Sequence, residues 1–162
     1  FSPPRAAPNF SLRGSDGAEL TLSRFRGKVV ILGFGFTSCP NVCPITLAVL
    51  AEARKKLGAE AAGLQVVYIT VDPERDDAER LRKYLGSFAP TFIGGTGSVD
   101  ELAGVRQRYG VSATREDFGA SYGFSHSSYT YLIDRDGNLR ALMPYGHPSD
   151  DYVHDVRILL AR

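Results

Sequence analysis

The residues best suited to chemistry lie in one stretch, Phe36-Thr37-Ser38-Cys39-Pro40-Asn41-Val42-Cys43-Pro44, which holds both cysteines of the chain four positions apart. On a helix that spacing stacks two side chains one turn apart on one face, with Cβ atoms about 5–6 Å apart. Such a pair can close a disulfide after modest adjustment or share a metal ion. A helix N-terminus favours the thiolate, because its unpaired N–H groups attract negative charge. Pro44 suits a first helical turn, where a missing N–H costs nothing. Two inert core cysteines or one structural disulfide are the plainer alternatives, since a free cysteine packs as a small hydrophobe. The flanking prolines and the position after an apolar run favour a reactive pair.

Three histidines and one acidic motif are the other candidates. His147 sits in a Gly-His-Pro turn, and His154 lies among Asp150, Asp151 and Asp155; both read as surface residues. His126 follows residues 116–125, read as a polar loop containing glycine, and precedes the aromatic stretch SSYTYLI. Asp72 stands in Thr70-Val71-Asp72-Pro73-Glu74-Arg75-Asp76, at the end of a second apolar run. It is placed to orient His126 or to tune the thiols from behind. The plainer reading is that Asp72 and Asp76 cap the next helix.

These residues need elements to hold them. Residues 28–36 (KVVILGFGF) and 64–71 (LQVVYITV) form continuous β-branched apolar runs, the pattern of strands buried on both faces. Between them Ile45, Leu47, Val49, Leu50, Ala53 and Leu57 follow helical spacing, with Gly58 as a stop. Strand, helix, strand is a βαβ unit. Before it, two short strands flank the turn Gly14-Ser15-Asp16-Gly17. After it come a helix over residues 76–88, a short strand at 91–93 leading to a turn at 94–97, and a helix to about 109 opened by a Ser98–Glu101 capping box. Residues 127–133 read as a strand, Asp136-Gly137 as a hairpin turn into 139–143, and Ser149 as the cap of a terminal helix. This order predicts an α/β, thioredoxin-like fold: a central mixed sheet flanked by helices, with an N-terminal hairpin. In such a sheet the segment leading into 127–133 faces the cysteine loop, which brings His126 toward Cys39 and Cys43. Two soft sulfurs and an imidazole select Cu(I) or Zn(II) over hard cations. Structural zinc takes four protein ligands and only three are found here; three suit a copper ion that is handed on. Catalytic zinc ranks lower, because no paired general base is evident.

Size and composition agree with one ordinary domain. At 162 residues the chain buries enough surface for a core without staples. Nineteen Lys and Arg against 18 Asp and Glu leave a net charge of +1, which lacks the electrostatic footprint of a nucleic-acid binder. Nine Phe and eight Tyr, spread along the chain, exclude disorder over most of it. No apolar run approaches the roughly 20 residues of a membrane span. Residues 1–8 (FSPPRAAP) read as a linker or stalk and 9–162 as the domain; the initial Phe suggests that an upstream signal or anchor has been removed.

Together these stretches resemble the Sco/SenC family of copper-binding assembly factors for cytochrome c oxidase. The matching segments are residues 27–30 (GKVV), 35–44 (GFTSCPNVCP), 70–76 (TVDPERD), 92–98 (FIGGTGS) and 126–137 (HSSYTYLIDRDG). The resemblance implies copper, as Cu(I) or Cu(II), held by Cys39, Cys43 and His126, with Asp72 matching the aspartate of the family's VDP motif. It implies a monomeric metallochaperone, more a copper chaperone than an enzyme, that delivers copper to the binuclear site on the copper-bearing subunit of the oxidase. Other copper carriers or thioredoxin-like reductants would be further partners. The implied location is extracytoplasmic, anchored to the outer face of a bacterial inner membrane, or the mitochondrial intermembrane space. Asn41 departs from the Asp usual between the family's cysteines and removes a negative charge beside the thiols. The alternative function is a thiol–disulfide oxidoreductase, with Cys39 and Cys43 as redox pair, that reduces the oxidase's copper-ligand cysteines. Against it, thioredoxin spacing is C-x2-C facing a cis-proline, and no proline lies between Pro90 and Pro144. A peroxiredoxin-type peroxidase needs Thr three residues before its cysteine; those positions hold Phe36 and Pro40.

Overall fold

The structure, a computed structural model, describes residues 5–39, 42–118, 121–126 and 129–162, with only the backbone described at residues 42, 118, 121, 125 and 126. Its centre is the predicted βαβ unit. Strand β4 (Val29–Gly35) and strand β5 (Leu64–Thr70) are wholly buried and pair in parallel from Val29–Leu64 to Gly35–Thr70. Helix α1 (Val42–Leu57) makes the crossover, and Gly58 turns the chain away at φ 59°. Around this unit six further strands complete an eight-stranded mixed sheet. They are β1 (Arg5–Ala6), β2 (Ser11–Gly14), β3 (Glu19–Thr21), β6 (Ile93–Thr96), β9 (Tyr129–Ile133) and β10 (Asn138–Pro144), in the spatial order β1-β10-β9-β4-β5-β6-β2-β3. Strand β9 lies antiparallel beside β4, with Val30 opposite Ile133.

Side chains on the central strands alternate between two apolar layers, as a period of two requires. Val30, Leu32, Phe34, Val67 and Ile69 meet the N-terminal hairpin and helix α3 (Val99–Tyr109). Val29, Ile31, Val66 and Tyr68 meet α1 and helix α4 (Ser149–Leu160), with Leu85 of helix α2 (Ala78–Gly86) in the same layer. Leu47 and Leu50 of α1 are at most 1% exposed, and burial of each contributes about 1.5–3 kcal/mol. Helix α3 carries the predicted Ser98–Glu101 capping box and ends on Gly110 in the left-handed region.

Four local expectations are corrected. Gly94-Gly95, read as a turn, are strand residues of β6: a Cβ on Gly95 would come within 2.7 Å of Leu20, so bare backbone is what lets the hairpin close there. Of residues 116–125, read as a loop, 116–118 and 121–125 belong to an antiparallel ribbon of strands β7 (Ala113–Phe118) and β8 (Ser121–His126), and 119–120 lie outside the described residues. The cap of α2 is Asp77, whose side chain accepts from Arg80 N–H, which leaves Asp72 and Asp76 for other work. Pro148 occupies the cap position of α4, and the buried Ser149 hydroxyl instead accepts from Lys56 at 2.8 Å. Within the Pro-rich start, Arg5–Ala6 pair with the edge of β10, Ala7 N–H bonds to Gly137, and the Tyr109 hydroxyl donates to the Pro8 carbonyl.

Candidate metal centre

The cysteine loop leaves the carboxyl end of β4, where open α/β sheets place their functional groups. Cys39 is half-buried and touches both apolar layers; its N–H bonds to the Phe36 carbonyl at 3.2 Å. Cys43, in the first turn of α1, is 1% exposed. The two are not joined by a disulfide, and their thiols are hydrogen-bonded to each other. That bond and burial push the Cys43 thiol well above its ordinary value, against a smaller opposing effect of the Tyr68 hydroxyl.

Asp76 holds the loop. Its carboxylate is fully buried and accepts from Thr37 N–H at 2.9 Å, the Thr37 hydroxyl at 2.5 Å and the Thr70 hydroxyl at 2.7 Å. Arg80 braces the same segment from outside, donating to Thr37 at 2.7 Å and Ser38 at 3.2 Å. The loop leading to Cys39 is therefore tied to the end of β5 and the start of α2.

Asp72 does a different job. At 1% exposure its carboxylate accepts from Arg75 and, at 3.0 Å, from the hydroxyl of Tyr122 on β8. The Tyr122 ring lies between the Arg75 and Arg115 guanidiniums, each 3.8 Å from its centroid. Phe124 then stacks edge-on against Phe36 at 5.4 Å. Ionic, aromatic and apolar contacts thus fasten the ribbon over the strand end that launches the cysteine loop. The backbone of His126 closes this ribbon opposite Ala113; its side chain lies outside the described residues.

Of the sequence candidates, the structure brings Cys39 beside Cys43 and sets Asp72 against the ribbon. Among the described residues no three His, Cys, Asp or Glu side chains converge on one point. His147 and His154 bond to Asp151 and Asp155 at the surface, at 2.8 and 3.0 Å. Two soft, adjacent sulfur donors fit a thiophilic ion such as Cu(I).

The sequence reading missed Asp76, Tyr122 and two tyrosines beside the thiols. Tyr68 hydrogen-bonds to Cys43 from beneath, and the Tyr84 hydroxyl is buried without a hydrogen-bond partner among the described residues. Burial, then the charges of Cys43 and Cys39, raise the Tyr84 phenol. The available signal for Tyr68 was the alternation Gly33-Phe34-Gly35, which clears the α1 face of β4.

Comparisons with known proteins extend this picture. The family model described as SCO1/SenC matches residues 2–161. The chain is 36% identical over 132 residues to an SCO2-like protein of Rickettsia felis, covering 80% of this chain and 64% of that protein. It is 36% identical over 153 residues to the mitochondrial SCO2 homolog of Mus musculus, covering 92% and 60%. The chain thus spans less than two thirds of the length of these relatives. Among solved structures it is similar to Arabidopsis thaliana ScoI with copper bound, at 34% identity and a TM-score of 0.89, covering 96% of this chain and 98% of that one. It is also similar to apo Sco1 of Thermus thermophilus, at 35% identity and a TM-score of 0.88, covering 99% and 94%. A match that omits only the first and last residues, on a fold shared almost end to end, decides the assignment: this chain belongs to the SCO1/SenC family.

Proposed function

We propose that the protein is a copper metallochaperone that receives Cu(I) or Cu(II) on Cys39, Cys43 and His126 and delivers it to the binuclear copper site of cytochrome c oxidase. The observation that carries the reading is the pair of hydrogen-bonded thiols at a strand-to-helix junction, under a ribbon pinned by Phe124 and Tyr122. The copper carried by structural relatives supports the choice of ion. Asp72 acts from behind, by fixing the ribbon whose last residue is His126. The copper-bearing subunit of the oxidase is the recipient, with other copper carriers or thioredoxin-like reductants upstream. An extracytoplasmic location, at a bacterial inner membrane or in the mitochondrial intermembrane space, follows from the same reading; mitochondrial relatives support it. No helix among the described residues is long and apolar enough to cross a membrane.

A second reading rests on the thiols themselves. A half-buried Cys39 beside a buried Cys43 is also the geometry of a pair that reduces the oxidase's copper-ligand cysteines. Copper titration of the reduced and disulfide forms, followed by mixing with an apo copper domain of the oxidase, separates the two. The dithiol form is expected to bind one copper and the disulfide form none, because a disulfide consumes both ligands. His126→Ala is expected to weaken Cu(II) binding and move the thiolate-to-Cu(II) band, with thiol exchange unchanged and His147→Ala and His154→Ala as controls. Full Cu(II) affinity and an unmoved band in His126→Ala would put the oxidoreductase first.

A further inference from the structure

The central strand carries glycine at alternate positions, Gly33 and Gly35, both on the face that α1 covers. What fills the cleared space is the side chain of Tyr68 from the neighbouring strand. A Cβ on Gly33 would lie 3.1 Å from the Tyr68 ring. A Cβ on Gly35 would lie 1.8 Å from the Tyr68 hydroxyl and 2.6 Å from the Cys43 sulfur. Hydroxyl and sulfur therefore meet over the bare backbone of Gly35, and the two are hydrogen-bonded. Tyr68 as a whole is 2% exposed, so water does not compete for this contact. A phenylalanine would satisfy the packing of such a slot; the hydroxyl is the part that packing does not explain.

We propose that Tyr68 is a positioning residue for metal capture, its hydroxyl donating to the Cys43 sulfur and setting the donor strength of that thiolate. The proposal rests on the copper reading above. A neutral thiol is a weak acceptor, whereas a metal-bound thiolate carries charge and accepts strongly. The hydrogen bond therefore strengthens when the ion arrives, which favours the loaded state. It also draws electron density from sulfur, and hydrogen bonding around a cysteine ligand is an established lever on copper–thiolate electronics.

The test is Tyr68→Phe, with Tyr131→Phe as a control. Tyr131 is equally buried, but on the opposite face of the sheet, where its hydroxyl donates to the Tyr109 carbonyl. Cu(I) affinity is read by competition with a chromogenic chelator, and the thiolate-to-Cu(II) band by absorption. Tyr68→Phe is expected to keep one-to-one binding, with affinity about 10- to 100-fold weaker and the band moved to lower energy. Tyr131→Phe is expected to match wild type in both. Wild-type affinity and an unmoved band in Tyr68→Phe overturn the proposal and leave the copper reading intact. A wild-type dithiol that takes up no copper overturns both. A measurement on unmutated protein covers a variant that folds poorly. With carbon-13 tyrosine, Cu(I) loading should move the Tyr68 ring carbon that bears the hydroxyl and leave Tyr131 in place; an unmoved Tyr68 carbon overturns the proposal.

Discussion

Replacing Asp76 tests whether a buried carboxylate, rather than the cysteines' own turn, holds the cysteine loop. Its two oxygens do unequal work. Oδ2 accepts from both Thr37 N–H and the Thr70 hydroxyl, and Oδ1 from the Thr37 hydroxyl. Asp76→Ala strands the two donors on Oδ2 in a site with no exposure, and each buried donor left without an acceptor costs about 1–3 kcal/mol. The expected loss is about 2–6 kcal/mol, a large fraction of the 5–15 kcal/mol typical of a domain. Asp76→Asn behaves differently. With its carbonyl oxygen at the Oδ2 position it keeps both acceptances, and its NH2 can donate to the Thr37 hydroxyl. It loses the charge and a 3.6 Å ion pair with half-exposed Arg80, about 1–2 kcal/mol in all. Urea unfolding of the three dithiol proteins gives the ranking, and amide exchange at Thr37 reports the loop itself. The reasoning fails if alanine costs under about 1 kcal/mol, if asparagine costs as much as alanine, or if Thr37 exchange does not rise in the alanine variant.

Two further outcomes are expected. Tyr122→Leu removes the ring between Arg75 and Arg115 and the hydrogen bond to Asp72, which should loosen β7–β8 by about 2 kcal/mol; amide exchange should rise across the ribbon and stay unchanged in β4 and β5, and a uniform change would refute the clamp. The raised Cys43 thiol keeps its proton in the folded dithiol protein above pH 9.0, the ordinary value, where the unfolded chain releases it. Stability is full below that pH and falls above it by up to ~1.4 kcal/mol per pH unit. The disulfide form lacks this dependence, so parallel unfolding curves for the two forms across about pH 8–10 would refute it.

Much of the framework was legible because one physical signal dominated it. Strands β4 and β5 are buried on both faces, so their apolar runs needed no partner to be recognised, and Ser98 with Glu101 carries its cap in the local sequence. The β7–β8 ribbon was not legible. Residues 115–117 are exposed and charged, and what stabilises the ribbon comes from Arg75 and Asp72, about 50 residues before the Tyr122 they hold. Gly94-Gly95 carried a turn signal that tertiary packing overrode. At the candidate site, the cysteines stood out by type and spacing. Asp72, Asp76 and Asp77 share one chemistry within six positions, and only the folded structure separates ribbon anchor, loop anchor and helix cap. Tyr68 was read as one apolar residue of a strand, because nothing local marks which hydroxyl will face a sulfur.

The position of β9 between β4 and β10 has a consequence for how the protein is made. The strand that launches the cysteine loop gains one neighbour, β5, as soon as α1 has crossed over, but the other, β9, lies near the end of the chain. At about 5–20 residues per second, the roughly hundred residues between β4 and β9 take on the order of 5–20 s to emerge during synthesis. When the chain is expressed without export and folds as it emerges, it presents through that interval the open edge of a wholly apolar strand, a template for pairing with its neighbours on the same message. Slower initiation, or a holdase that masks that edge, should therefore raise the yield of native protein, and a message truncated before Tyr129 would release a product whose edge never closes.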